Sequence, residues 1–172
     1  MRAGRRGLSL SELALFAMLG SMCFLGKLLM AWIPNVEPVS LFVMLFAAVF
    51  GWKALWPIYT YVLLESVVFP VQLWTINYLY IWLILAAVSM ALRECRTPLV
   101  WALASGTFGL LFGALCAPVY AFTGGWAFAL AWWVSGIPFD LLHGVGNFVI
   151  ALALFVPLRK LLEQLYDRLP RR

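Results

Sequence analysis

The sequence predicts an all-α integral membrane protein that crosses the bilayer six times as a single domain over residues 1–172. Of its 172 residues, 65% are hydrophobic and 11% are charged, and the mean hydropathy is +0.98. Such a chain has too little polar surface to coat a water-soluble globule. Because one helical crossing needs about 20 apolar residues, the length leaves room for about six crossings and for no soluble catalytic domain.

Five breaks in the apolar pattern divide the chain into helices. Proline, glycine or charge interrupts the apolar runs at residues 34–35, 51–53, 69–70, 93–98 and 123–125, which marks helix ends. We therefore predict helices near residues 11–33, 38–51, 53–69, 76–92, 98–122 and 136–158. The first is too long for the apolar core of a signal peptide and no cleavage site precedes Pro34, so we expect it to be retained.

Residues 124–135, GGWAFALAWWVS, form an apolar and aromatic segment between the fifth and sixth predicted helices. The segment is too short to cross a bilayer, and tryptophan favours the interface between lipid and water. We expect an aromatic extracellular lid, interfacial or re-entrant. A seventh crossing here would place the carboxy-terminal cations outside.

Eleven of the twelve Lys and Arg residues fall on one side of this six-helix topology. The loops at 34–37, 69–75 and 123–135 carry none, so the positive-inside rule makes both termini cytoplasmic in a plasma-membrane protein. The exception, Lys27, lies near the outer end of the first helix, either as the partner of a buried carboxylate or as a ligand contact. The eleven are Arg2, Arg5, Arg6, Lys53, Arg93, Arg96, Arg159, Lys160, Arg168, Arg171 and Arg172.

A polar stripe marks the outer half of the sixth predicted helix. Asp140, His143 and Asn147 are spaced i, i+3, i+7, which places them on one helical face, with Gly144 leaving room beside them. Ionisable groups within the apolar slab cost about 2.5–3.5 kcal/mol on insertion scales, so each is a functional candidate. Two interpretations remain open: a ligand site, or an internal network that ties this helix to Lys27 or Glu65.

Aromatic and amide side chains concentrate at the predicted outer ends. Some of these rings belong to the interfacial belt of any membrane protein. Gln72 and Asn77 lie among them, however, and rings beside amides and a carboxylate suit a flat, hydrogen-bonding small molecule. The aromatic residues are Trp74, Tyr78, Tyr80, Trp82, Trp126, Trp132 and Trp133.

Small residues form two strips. The fifth predicted helix carries Gly106 and a GxxxG pair, Gly109 and Gly113, which we interpret as internal helix packing. On the first helix, Ala14, Ala17 and Ser21 form a smooth strip that serves either internal packing or docking of another membrane subunit.

Several function classes lack their motifs in this sequence. No GxxxxGK[ST] occurs, so we expect no ATP bound by a P-loop in this chain, and no GxSxG elbow occurs. The basic residues sit at helix ends without aromatic interleaving, which argues against nucleic acid. Cys23, Cys95 and Cys116 are scattered without CxxC spacing, so we expect buried thiols and no metal site.

Three segments carry a family resemblance: IPNVEPVSLF, FGWKAL, and GIPFDLLHGVGNFVIALALFVPLRKLLEQL. With the helix count and length, they make the chain resemble the substrate-binding S components of energy-coupling factor (ECF) transporters. The resemblance implies a vitamin-uptake subunit that docks on a transmembrane coupling subunit driven by two cytoplasmic ATPases. This chain itself would then need no cofactor, because ATP is used by its partners.

The resemblance also implies which residues do what. The docking strip falls on Ala17 and Ser21, with Ala14 one turn earlier, where the family typically has Ala-x-x-x-Ala. An aromatic-walled pocket with one or two carboxylates and no obvious cation other than Lys27 favours a neutral or cationic ring compound over a strongly anionic one. The implied pocket comprises Asn35, Glu37, Gln72, Trp74, Asn77, Tyr78, Trp126, Asp140, His143 and Asn147.

Two alternatives belong to other classes. A stand-alone carrier or channel would keep the pocket and need no partner. An intramembrane hydrolase would use Asp140 with His143, or Ser135.

Overall fold

The computed structural model describes residues 7–33 and 35–170, and about 85% of them are helical, with no strand. Within this part, four stretches are long and apolar enough to cross a membrane: Leu10–Met30, Val39–Val68, Leu73–Ala91 and Pro98–Asp167. The predicted all-helical class is therefore confirmed. Arg2, Arg5, Arg6, Arg171 and Arg172, which were predicted to be cytoplasmic, lie outside the described residues, as does Pro34.

Six α-helices occupy the described residues. They are α1 (Leu10–Met30), α2 (Val39–Phe50), α3 (Leu55–Val68), α4 (Leu73–Ala91), α5 (Pro98–Leu110) and α6 (Phe112–Asp167), with a 3-10 turn at Gly51–Ala54.

Local chemistry explains the helix ends. Ser9 caps α1, since its Oγ accepts the Glu12 N–H at 3.1 Å while the Glu12 carboxylate accepts the Ser9 N–H at 3.0 Å. Gly51 ends α2 at φ 57°, a backbone conformation that glycine adopts without steric cost. Pro98 begins α5, where its missing N–H is not needed.

The predicted boundary of the last helix is wrong. Gly125 (φ 80°, ψ 168°) interrupts α6 and divides it into a first arm, 112–124, and a second arm, 126–167. Residues 126–135 are helical and continue without a break into the predicted sixth helix, so no separate lid forms. The prediction began the sixth helix too late, at residue 136, yet Gly136 and Pro138 both lie inside the helix.

Helices that follow one another in the sequence alternate in direction along the bundle. Glu12 bonds Lys53 while Lys27 pairs with Glu65, so α1 and α3 run parallel, and the Phe16–Phe50 ring contact at 5.0 Å sets α2 antiparallel to α1. The second arm of α6 folds back along α5, with Trp101 stacked on Phe155 at 4.0 Å.

The bundle has one basic end. Arg159 donates hydrogen bonds to the Cys95 and Arg93 carbonyls, and Arg96 pairs with Glu163. Glu12 joins this end by accepting from Lys53 Nζ at 2.6 Å and from the Tyr166 hydroxyl at 2.7 Å. We call this the basic end, and we call the opposite end, where Lys27 and Glu65 lie, the cavity end.

Glycines on α5 and the first arm of α6 permit the tight packing that the GxxxG pattern predicts. A Cβ on Gly109 would lie 2.8 Å from the Gly144 Cα, and one on Gly113 would lie 2.5 Å from Asp140 Oδ2. The second arm of α6 therefore packs closely, in the antiparallel direction, against α5 and the first arm, and this packing positions Asp140 and His143.

The strip on α1 lies on the outside of the bundle. Ala14 and Ala17 are exposed, and Ser21 is half-buried with its hydroxyl donating to the Ala17 carbonyl at 2.9 Å. Internal packing of α1 instead uses Gly20, where an added Cβ would lie 2.7 Å from the Pro57 carbonyl oxygen. The strip is therefore not part of the internal packing.

Candidate functional site

A cavity of about 650 Å³ opens at the cavity end of the bundle. Its wall combines the end of α1, the following loop, the end of α3, the start of α4 and both arms of α6. Volumes of this size accommodate small organic ligands.

Seven of the ten predicted pocket residues line this cavity. They come from three separate stretches of the chain, which the alternating helix directions bring to one end. The seven are Asn35, Glu37, Gln72, Trp74, Tyr78, Asp140 and His143.

The other three predicted residues lie elsewhere. Asn77 is fully buried between helices, where its Oδ1 accepts the Tyr80 hydroxyl at 3.2 Å. Trp126 is 69% exposed, as expected for a ring at a lipid interface. Asn147 is buried and donates to Ser40 Oγ at 3.0 Å, so it ties the second arm of α6 to α2.

Lys27 is the partner of a buried carboxylate and also lines the cavity. Its Nζ pairs with Glu65 Oε1 and donates to the Tyr78 hydroxyl at 3.2 Å, and it lies 5.2 Å from the centre of the Tyr78 ring. The predicted network therefore joins α1, α3 and α4. It does not reach Asp140, contrary to one expectation from the sequence.

Asp140 is held by the backbone of the first arm of α6. Its Oδ1 accepts the Gly113 N–H at 3.0 Å, and the side chain of Trp133 lies beside the carboxylate. Within the described ranges, Oδ2 has no hydrogen-bond partner, and neither has His143 Nε2. Asp140 is 8% and His143 5% exposed, so these are buried polar groups whose hydrogen bonds are unmade.

Aromatic rings form one side of the cavity. Trp74 lies nearly parallel to Phe112 at 6.4 Å and contacts Trp132 at 5.8 Å, while Tyr120 stacks on Trp132 at 3.8 Å behind them. Phe112 also meets the edge of the His143 ring at 4.8 Å. A flat ring entering the cavity would therefore meet aromatic faces next to polar atoms.

Glu37 supplies a further carboxylate from the loop between α1 and α2. Burial raises the pKa of this carboxyl, and the positive charge of Lys27 opposes that effect. The loop also carries Asn35 at φ 54°, in the left-handed region that asparagine tolerates better than most residues.

Sequence reasoning missed several lining residues, mainly Phe112, Trp132, Gly136 and Phe139. Trp132 and Gly136 extend the Asp140–His143 stripe back along the same helical face, at i−8 and i−4 from Asp140. Extending the helical period of this stripe toward the amino terminus, past Ser135, would have identified both residues.

No family model, curated protein or solved structure matches this chain. Among residues 7–33 and 35–170, no three His, Cys, Asp or Glu side chains converge into a group that could hold a metal ion.

Proposed function

We propose that the chain is the membrane-embedded substrate-binding subunit of an ATP-driven micronutrient importer, of the kind that ECF S components represent. The observation that carries the proposal is the cavity itself, which gathers polar and aromatic groups at the end of the bundle whose loops lack Lys and Arg. Such a cavity suits capture of a small molecule from outside the cell.

The proposed topology has six crossings with both termini cytoplasmic. Its support is the alternation of helix directions, with a hairpin at Gly51–Ala54 and a reversal at Gly125. The basic end carries Arg93, Arg96 and Arg159, which would face the cytoplasm by the positive-inside rule. Exposed apolar side chains over the outside of the bundle, such as Leu29 and Leu103, would face lipid.

The interior beyond the cavity favours binding over conduction. Tyr61 and Trp82 are fully buried, Phe108 lies 6.0 Å from the Trp82 ring, and these side chains fill the bundle one turn past Tyr78. A carrier or channel would have to displace this layer to connect the cavity with the basic end. A binding subunit that relies on partners for translocation does not require such a path within the resting chain.

The exposed strip of Ala14, Ala17 and Ser21 supports docking of a transmembrane coupling subunit, which two cytoplasmic ATPases would drive. Small side chains let another helix approach the backbone of α1 closely. Because the strip takes no part in internal packing, a bulky replacement there would leave the cavity intact.

The test begins with mass spectrometry of the small molecule that co-purifies with the detergent-solubilised protein, followed by uptake of that molecule in cells that co-express the coupling module. Ala17→Trp should reduce partner-dependent uptake to background and leave the dissociation constant of the purified chain within about twofold. Leu103→Trp is the control, since Leu103 is 53% exposed on a different helix.

Two outcomes would overturn the proposal, and a third would remove only its docking surface. Normal uptake by Ala17→Trp would exclude this strip as the docking surface. Transport by the purified chain alone in liposomes would establish the stand-alone carrier. Turnover of a bound lipid or peptide that is lost in His143→Ala would establish the hydrolase.

A further inference from the structure

Among the described residues that line the cavity, three buried polar atoms lack hydrogen-bond partners. They are Glu65 Oε2, Asp140 Oδ2 and His143 Nε2, and each belongs to a residue that lines the cavity. A buried polar group without a hydrogen bond has lost its contact with water and gained nothing in return, so such groups are seldom left unpaired without a functional reason. A ligand that supplies hydrogen-bond donors would satisfy the two carboxylate oxygens.

The cavity wall carries more carboxylates than cationic side chains among the described residues. In the part of the chain that the structure describes, three carboxylates line the cavity, Glu37, Glu65 and Asp140, against one cation, Lys27. Lys27 bonds Glu65 directly, which leaves Asp140 without a cationic side chain in its hydrogen-bonding environment. The surplus is of acceptors and of negative charge, which favours a positively charged ligand over an anion.

The rings that line the cavity suit the same kind of ligand. Trp74, Phe112 and Trp132 belong to its wall, and Phe112 directly precedes Gly113, whose N–H bonds the Asp140 carboxylate. Aromatic faces attract cations and stack on flat rings. The volume of about 650 Å³ is large enough for a ring compound with substituents.

We propose that the ligand of this cavity is a flat, nitrogen-containing organic cation with at least one N–H donor, whose N–H bonds Asp140 Oδ2 and whose ring lies against Trp74, Phe112 and Trp132. The inference rests on the proposed function, because it names the substrate class of the same site. Asp140 is then the residue that selects for charge. Lys27 and Glu65 neutralise each other, and Glu37 adds attraction at the loop.

The test uses three small probes on the purified full-length chain in detergent near neutral pH. Benzamidinium is a flat cation with N–H donors, benzoate is an anion of similar shape, and N-methylpyridinium is a flat cation without N–H. Quenching of tryptophan fluorescence reports binding, because Trp74 and Trp132 line the cavity. We expect benzamidinium to bind at least tenfold more tightly than benzoate, with N-methylpyridinium in between.

Asp140→Asn assigns the preference to its residue. The amide keeps an oxygen for the Gly113 N–H, so the fold should persist, and a thermal melt checks this. The variant should weaken benzamidinium binding at least tenfold and remove the preference over benzoate. Glu94→Gln is the matched control, since its carboxylate is 87% exposed and pairs with Arg93 at the basic end.

The proposal would be overturned if benzamidinium and benzoate bind equally tightly or if neither quenches the fluorescence. An unchanged preference for benzamidinium in Asp140→Asn would also overturn it. If N-methylpyridinium binds as tightly as benzamidinium, the N–H donor is wrong. These results concern the isolated chain only. A preference for benzoate would thus refute the cationic ligand without bearing on the proposed importer subunit. Normal uptake by Ala17→Trp would refute the proposed docking surface without bearing on the charge preference.

Discussion

At Gly109 the backbones of α5 and the second arm of α6 approach so closely that a single methyl group has no room. A Cβ there would lie 2.8 Å from the Gly144 Cα and N and from the His143 carbonyl carbon. All three are backbone atoms, so no side-chain rotation relieves the overlap. Gly109→Ala must push the two helices apart, and it does so beside Asp140 and His143.

Two opposing contributions set the size of the effect. Alanine is favoured over glycine inside a helix by about 1 kcal/mol. Overpacking costs about 1–3 kcal/mol, and contacts with backbone on both sides belong in the upper half of that range. The net expectation is a loss of about 1–2 kcal/mol in the free energy of unfolding. For a chain of this length, that corresponds to a melting temperature lower by about 2–8 °C.

The assay is thermal unfolding followed by circular dichroism in one detergent, with Gly136→Ala as the matched control. An added Cβ on Gly136 meets nothing within 4 Å, so that variant should gain up to about 1 kcal/mol from helix propensity alone. If Gly109→Ala melts at or above the temperature of the unmodified protein while Gly136→Ala rises as expected, the close approach at Gly109 is wrong.

Three further predictions concern single polar groups. Lys27→Met leaves the Glu65 carboxylate unpaired and should lower the free energy of chemical unfolding by about 1–3 kcal/mol, less than for a fully buried pair because the two side chains are 21% and 13% exposed. The double variant Lys27→Met, Glu65→Gln should recover most of this loss, and equal stability of the single and double variants would contradict the prediction. Asn147→Ala removes the hydrogen-bond partner of Ser40 and should lower the free energy of unfolding by about 1–3 kcal/mol, with benzamidinium affinity unchanged. A loss of affinity without a loss of stability would show that Asn147 contacts the ligand. Burial raises the pKa of Glu37 above its ordinary 4.5, and only the ionised carboxylate attracts a cation, so benzamidinium affinity should increase as the pH rises through that raised pKa. Glu37→Gln should remove part of this increase, and an unchanged pH dependence of affinity in the variant would exclude Glu37 from binding.

The sequence carried enough to predict which segments form helices and which polar residues meet. Helix α2 was expected at 38–51 and spans Val39–Phe50, because Pro38 and Gly51 flank a run that is apolar apart from Ser40. Glu37, Gln72 and Asp140 are far apart in sequence, yet charge asymmetry alone placed them at one end. That reasoning succeeds since helices in a bundle alternate in direction, so every second loop falls at the same end.

The residues that sequence reasoning misplaced were set by tertiary packing. Asn77 is one residue from Tyr78 in α4, but the helical period turns Tyr78 to the cavity and Asn77 to the Tyr80 hydroxyl. Asn147 shares a face with His143, yet one turn further along that face it meets α2, where Ser40 accepts its hydrogen bond. No periodicity in one helix reveals what the opposing helix offers.

The second arm of α6 is one continuous helix of roughly 60 Å, about twice the thickness of a bilayer core. Asp140 lies in the first half of this arm, and Tyr166, which donates to Glu12, lies near its far end. About 40 Å of helix separates these two residues, so a rigid tilt of about 5° at Asp140 would displace Tyr166 by roughly 3 Å. A rigid tilt of the arm about the cavity would therefore also move the Tyr166–Glu12 contact at the basic end.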